Sequence, residues 1–369
     1  MIMKKIIVFF VFLCLLYTPV RAVDNYSKQY DEIGAGALQD GLNQETKEFL
    51  NENGIDAKDS DWTEKLTDKN VITHILQFIT GGAKAPIKIG ILIASVIFLT
   101  AAFSAFEVSA RFETAIYAAV LCICTIVTGD IWQCVSSAIN AVKGCSSFML
   151  SFVPVFASVT AISGKVETAT SMSALLLGAS EAVSFVASFL VLPLMGGYLA
   201  LSISSGVSPL VSGASITDSV KKLSMWILSL LGTLFVGVLS IQTAVNSASD
   251  GVTLRTAKFI LGTSVPVAGG VLSEAVSTIS ASMGLLRSSI GIYGVVALVF
   301  ILLPIVIELV LWRCVLMLNI SLGEVFSLSK TTGILRAVDS MIAVLLGVVL
   351  LIGGMFIISL SVVVMSGGK

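Results

Sequence analysis

The sequence predicts an all-α polytopic membrane protein with a small polar helical extension near its start, and three observations carry that prediction. Hydrophobic residues make up 56% of the chain and charged residues only 12%, about half the charge of an ordinary soluble domain. Mean hydropathy is +0.99. Apolar runs long enough to cross a hydrocarbon core of about 30 Å recur at 87–106, 115–131, 182–202, 223–242, 291–316 and 342–364, which makes six spans. The partner this composition implies is the lipid bilayer. A formal net charge of −1 argues against a nucleic-acid reader, which needs a basic face.

In chain order, Lys4 and Lys5 precede an apolar run from Ile6 to Tyr17. Small residues follow, in the pattern of a secretory signal cut after Ala22. The alternative is an uncleaved first helix, and either form leaves the next segment outside the cytoplasm. Residues 23–83 form an acidic extracytoplasmic region. Within it Asp40 is expected to cap a helix over 41–51 with Leu42, Phe49 and Leu50 as its apolar positions, and Gly54 to end that helix. So few apolar residues make a marginal core, so the region is expected to dock on the membrane domain or on a partner. Residues 84–369 are the transmembrane domain.

That domain reads as an internal duplication, with units at about 115–205 and 223–318. Val153-Pro154-Val155 in the first answers Val265-Pro266-Val267 in the second, and a second proline, Pro193 and Pro304, follows deep in the next span. The segments around Val-Pro-Val, 148–162 and 259–272, are short, interrupted by proline and followed by small or polar residues. They are expected to be broken or re-entrant. If they turn back, the two units are parallel; if they cross, the units are inverted, as in many transporters.

No catalytic, cofactor-binding or metal-ligating set emerges. His74 is the single histidine, and neither a zinc helix motif, a nucleophile elbow nor a phosphate loop is present. The chain therefore reads as a non-enzyme. Cys122 and Cys124 point about 200° apart on a helix, whereas Cys134 and Cys145 are placed in a loop where they could bridge if it is extracytoplasmic. Ionisable groups in or beside spans carry more information, because a charge in hydrocarbon is costly unless it faces protein or water. Glu308 lies mid-span four residues after Pro304, and Asp130 and Glu181 lie at span ends. Glu308 lines a wet cavity or pore, or it is neutralised by Arg313 and holds helices in register. Pro154, Pro266, Pro193 and Pro304 are candidate hinges, with helix packing as the plainer role.

The signal segment, the acidic stretch LNQETKEFLNENGIDAKD (42–59), the entry APIKIGILIASVIFLTAAFSAFE (85–107) and the paired Val-Pro-Val segments with their downstream prolines resemble the stage III sporulation protein AE family of endospore-forming bacteria. The resemblance implies a multi-pass protein of the mother-cell membrane around the forespore. It also implies membership of a channel or secretion-like complex between the two cells. The partners it implies are the other subunits of that complex, including a secretion-type ATPase and intermembrane ring proteins, and a forespore-membrane partner. It supplies no catalytic residue and no cofactor. Two other readings of the residues stay open: a secondary transporter for a small solute, and a scaffold that recruits the other subunits. A homo-oligomer is compatible with each.

Overall fold

The computed structural model describes residues 30–59, 62, 69–106, 111–162, 166–207, 219, 222–241 apart from 225 and 228, and 269–365. The signal segment and the second Val-Pro-Val at 265–267 lie outside these residues. Helices dominate: α1 Ala37–Asp40, α2 Gln44–Glu52, α3 Lys69–Phe106 and α4 Arg111–Ile162. They are followed by α5 Val166–Phe185, a π-helical turn Val186–Val191 and α6 Leu192–Val207. The chain closes with α7 Lys222–Ile241, α8 Gly269–Val325 and α9 Ser329–Met365.

Five helices among the described residues are long and apolar enough to cross a membrane, over Phe78–Phe103, Ile116–Ile162, Lys222–Ile241, Leu286–Val325 and Ser329–Ser361. The sixth span expected at 182–202 is divided between α5, the π turn and α6. Serine and threonine sit in these helices at little cost because their hydroxyls donate back one turn. Ser95 donates to the Ile91 carbonyl, Thr125 to Leu121, Ser321 to Met317 and Ser359 to Met355.

The centre of the bundle is the antiparallel pair α8 and α9. Their turn is closed by the Leu328 N–H donating to the Gly323 carbonyl at 2.9 Å and by an ion pair between Arg336 and Glu324. Missing side chains set the close approaches. A Cβ on Gly353 of α9 would collide with Leu302 of α8, one on Gly294 of α8 with the Phe152 ring of α4, and one on Gly90 of α3 with Val315 of α8. Together with Gly82 against Leu311 and Gly144 against Ile301, these contacts fix α3 parallel and α4 antiparallel to α8. On the flanks, Ser146 of α4 donates to the Ser180 carbonyl of α5 at 2.6 Å, and Tyr198 of α6 donates to the Ala337 carbonyl of α9 at 3.2 Å.

The Val-Pro-Val segment at 148–162 is no broken or re-entrant piece. It is the last part of the continuous helix α4. Pro154 removes one backbone donor, but Phe148, Phe152, Val155, Phe156 and Val159 are all buried along one face, and that packing outweighs a single lost bond. Cys134 and Cys145 are not in a loop either. Both are buried in α4 as free thiols, about 16 Å apart along the axis, too far to bridge.

In the N-terminal region Asn43, not Asp40, caps α2, its side chain accepting from the Thr46 N–H at 3.2 Å. Asp40 ends α1 instead. Gly41 lies so close to α4 that a Cβ there would stand 2.7 Å from the Ser151 Cβ, and the chain is broken at this contact before α2 starts. Gly54, at φ 63°, ends α2 as its position suggests. The region packs on the bundle. The Phe49 ring lies 4.3 Å from Phe300, Trp62 meets Tyr293 edge-on at 5.8 Å, and the Trp62 indole N–H donates to Ser289 Oγ at 3.2 Å.

Gly294→Leu is expected to force α4 from α8 at a cost of about 1–3 kcal/mol. A thermal-shift assay of the detergent-solubilised protein should show the loss. Gly354→Ala, at a position with open space around it, should not lower the melting temperature, since alanine is the better helix former.

Candidate functional site

The groups that demand explanation are the ionisable side chains held between apolar helices. Arg313 of α8 and Asp339 of α9 form a two-pronged ion pair, Nε to Oδ1 at 3.0 Å and a terminal guanidinium nitrogen to Oδ2 at 3.4 Å. Their side chains are 26% and 17% exposed, so the pair is largely withdrawn from its surroundings. Fork geometry suits such a site, since both carboxylate oxygens find donors.

Arg313 therefore does not neutralise Glu308, contrary to the expectation from their closeness in sequence. Five residues along a helix turn the second side chain about 140° away from the first. Arg313 faces α9 and Glu308 faces α4. There Glu308 Oε1 accepts from the Cys134 thiol at 3.5 Å, and Asp130 stands one turn before Cys134 on α4. Both carboxylates are half-buried, and neither has an ion-pair partner among the described residues. A half-buried carboxylate at a helix contact can hold a proton or meet a cation, which gives this contact chemistry that an apolar seam lacks.

The other sequence candidates are dispersed. Pro304 lies one turn before Glu308 in α8 and is half-buried. Pro154 is exposed on the outer face of α4, and Glu181 is exposed on α5. Pro193, also exposed, is the second residue after the π turn that joins α5 to α6. A π turn re-registers a helix, and here it meets the residue whose missing N–H would disturb the ladder anyway. Pro266 lies outside the described residues. The structure thus brings Asp130 and Glu308 to one helix contact and leaves Pro154, Pro193 and Glu181 elsewhere.

Two side chains at these contacts are not singled out as site residues by the sequence. Asp339 precedes the last span and shows its role only when α9 folds back on α8. Hydropathy falls around Cys134, which makes its helix read as a loop. A usable signal existed for the first: opposite charges at the adjoining ends of two successive apolar runs suit an antiparallel hairpin. No group of three His, Cys, Asp or Glu that could hold a metal occurs among the described residues. An open cleft of about 430 Å³ lies by Asn51, Gly54, Asp56, Lys58 and Asp59 in the N-terminal region, away from the ion pair.

Asp339→Ala leaves Arg313 without its counter-charge and is expected to cost about 1–3 kcal/mol, less than the 3–5 of a fully buried pair. The double variant Arg313→Met/Asp339→Leu should recover much of that loss. A double-mutant cycle on unfolding in mild detergent reads the coupling.

Comparison with known proteins follows from this architecture. The family model described as "Stage III sporulation protein AE" matches residues 45–367. A curated relative, stage III sporulation protein AE of Bacillus subtilis, is 30% identical over 167 residues. The match covers 45% of this chain and 42% of that relative, so less than half the length of the relative is spanned. No solved structure matches. A family model that takes in the docked helix α2 and nearly all of the bundle leaves one conclusion: the chain belongs to the stage III sporulation protein AE family, and with it to endospore formation.

Proposed function

We propose that this protein is a non-enzymatic, multi-pass component of a mother cell–forespore channel or secretion-like complex required for endospore formation. The observation that carries the reading is the length of the central helices. At 1.5 Å per residue, the apolar stretches Ile116–Ile162 and Leu286–Val325 run about 70 and 60 Å, against a hydrocarbon core of about 30 Å. A helix that overruns the bilayer places protein where other subunits can reach it. The docked acidic region adds a surface at the overrun end. On this reading the protein sits in the mother-cell membrane around the forespore with residues 23–83 in the intermembrane space. Its partners are the intermembrane ring proteins on that side, a secretion-type ATPase on the other, and further copies of itself.

A second reading, a secondary transporter, is favoured by one observation, the half-buried Asp130 and Glu308 at a single helix contact. It requires the two units at 115–205 and 223–318 to be inverted. A scaffold needs neither carboxylate.

Glu308→Gln removes the charge and keeps the shape. For a conduit or transporter it is expected to lower the yield of heat-resistant spores about tenfold or more, since an intramembrane ionisable group on a pathway is seldom dispensable. Immunoblots should show an unchanged protein level. Normal spore yield would sink both transport readings and leave the scaffold. Passage of a small fluorescent tracer between the two cells, lost in Glu308→Gln, separates a conduit from a transporter too selective to admit it.

A further inference from the structure

The outward faces of the helices change character part-way along the bundle. On α3 the exposed large side chains from Ile91 to Phe103 are apolar, as is Leu121 of α4, and so are Met317 and Leu318 of α8. One end of this belt is marked by Lys330, stacked on the Tyr117 ring at 4.0 Å, and by the Arg336–Glu324 pair. The other end is marked by exposed Lys84 and Lys88 of α3 and by Trp132 of α4, 47% exposed. These markers share a height, because Gly90 faces Val315 of α8 while Cys134 reaches Glu308. From Tyr117 to Trp132, as from Lys88 to Phe103, the rise is about 22 Å, shorter than a core of about 30 Å, a mismatch that local thinning of the bilayer accommodates. Tryptophan, tyrosine and lysine are the residues that settle at a membrane–water interface, with lysine stems lying along the apolar edge.

Beyond Trp132 the outer face of α4 is polar as far as Ser147 and mixed after it. Ser136, Asn140, Lys143, Ser147 and Ser158 are exposed in one row about 33 Å long, interrupted by exposed Leu150 and Pro154 and followed by exposed Ile162. The opposite face of the same turns, Val135, Val142, Phe148, Phe152 and Val159, is buried. A second, independent observation lies at this height. The N-terminal region, with Glu45, Glu48 and Glu52 exposed, packs on Ser151, Phe300 and Ser289, and three exposed carboxylates do not sit in hydrocarbon. The apolar parts of α8 and α9 in this half need no lipid, because protein buries them on nearly every side.

We propose that the lipid belt of this protein ends at Lys88 and Trp132, and that the face of α4 from Ser136 to Ser158 is in water. The water is bulk solvent around an extramembrane half of the bundle, or it fills a lumen. Helix α7 tells the two apart. Gly232 of α7 lies against Leu351, near the height of the polar row, and α7 exposes Leu230 and Leu234.

The test uses the full chain, freed of its native cysteines and reconstituted into phosphatidylcholine–phosphatidylglycerol vesicles. Spin labels go singly on Ser147→Cys, Ser158→Cys, Leu121→Cys and Leu234→Cys. All four positions are on exposed faces, and gel filtration confirms that each variant elutes as the parent does. The probes are a water-soluble nickel chelate and dissolved oxygen. The expected result is relaxation by nickel at 147 and 158, with its loss and the gain of oxygen contact at 121. Oxygen contact without nickel contact at 147 and 158 overturns the proposal. Given water at 147, a lipid signature at 234 assigns the α4 face to a lumen within the bilayer, and a nickel signature at 234 assigns it to bulk water. The placement does not depend on the channel reading, because vesicles of the isolated protein need no other subunit.

Discussion

The antiparallel α8–α9 pair is apolar over so much of its circumference that no single neighbour can cover it, and the rest of the molecule is arranged to do so. From Leu286 to Phe300 nearly every residue of α8 is buried, which a helix in contact with lipid on one side would not show. Helix α3 covers one flank through Gly90, α4 covers another through Gly294, and the N-terminal region closes a third through Phe49 and Trp62. The glycines matter because dispersion gains need backbones close together. In lipid that packing replaces the hydrophobic drive that water supplies elsewhere.

The same closeness makes the polar groups inside the bundle expensive and therefore specific. Arg313 and Asp339 sit on the two helices of the central pair, and their bidentate contact is available only when α9 is in one register against α8. A slip by one turn would leave the guanidinium facing Leu335 or Ala343 in place of a carboxylate. Such a pair contributes little net stability over an apolar substitute, but it discriminates sharply between registers. Glu308 contributes differently. Its contact with a neutral thiol satisfies one oxygen without cancelling the charge, so the carboxylate keeps whatever chemistry its surroundings permit.

The prolines show how local rules are overridden. Read one residue at a time, Pro154 and Pro304 break their segments; in the bundle, α4 and α8 run through both. One missing hydrogen bond is set against five buried side chains around Pro154, and the buried side chains prevail. Near Pro193 the outcome is a π turn.

The residue pattern alone determined the helical membrane class, the polar N-terminal region, the end of α2 at Gly54 and the family to which the chain belongs. Those features follow from hydropathy, turn chemistry and local motifs, which are written in consecutive residues. The docking of Trp62 on Ser289, the pairing of Arg313 with Asp339 and not Glu308, and the contact of Glu308 with Cys134 were decided by the tertiary structure. Each joins residues 26 to 227 positions apart. Hydropathy also could not divide the long helices between lipid and protein. An apolar side chain on α8 is equally content against hydrocarbon or against Phe152, and only the packed neighbours show which it meets.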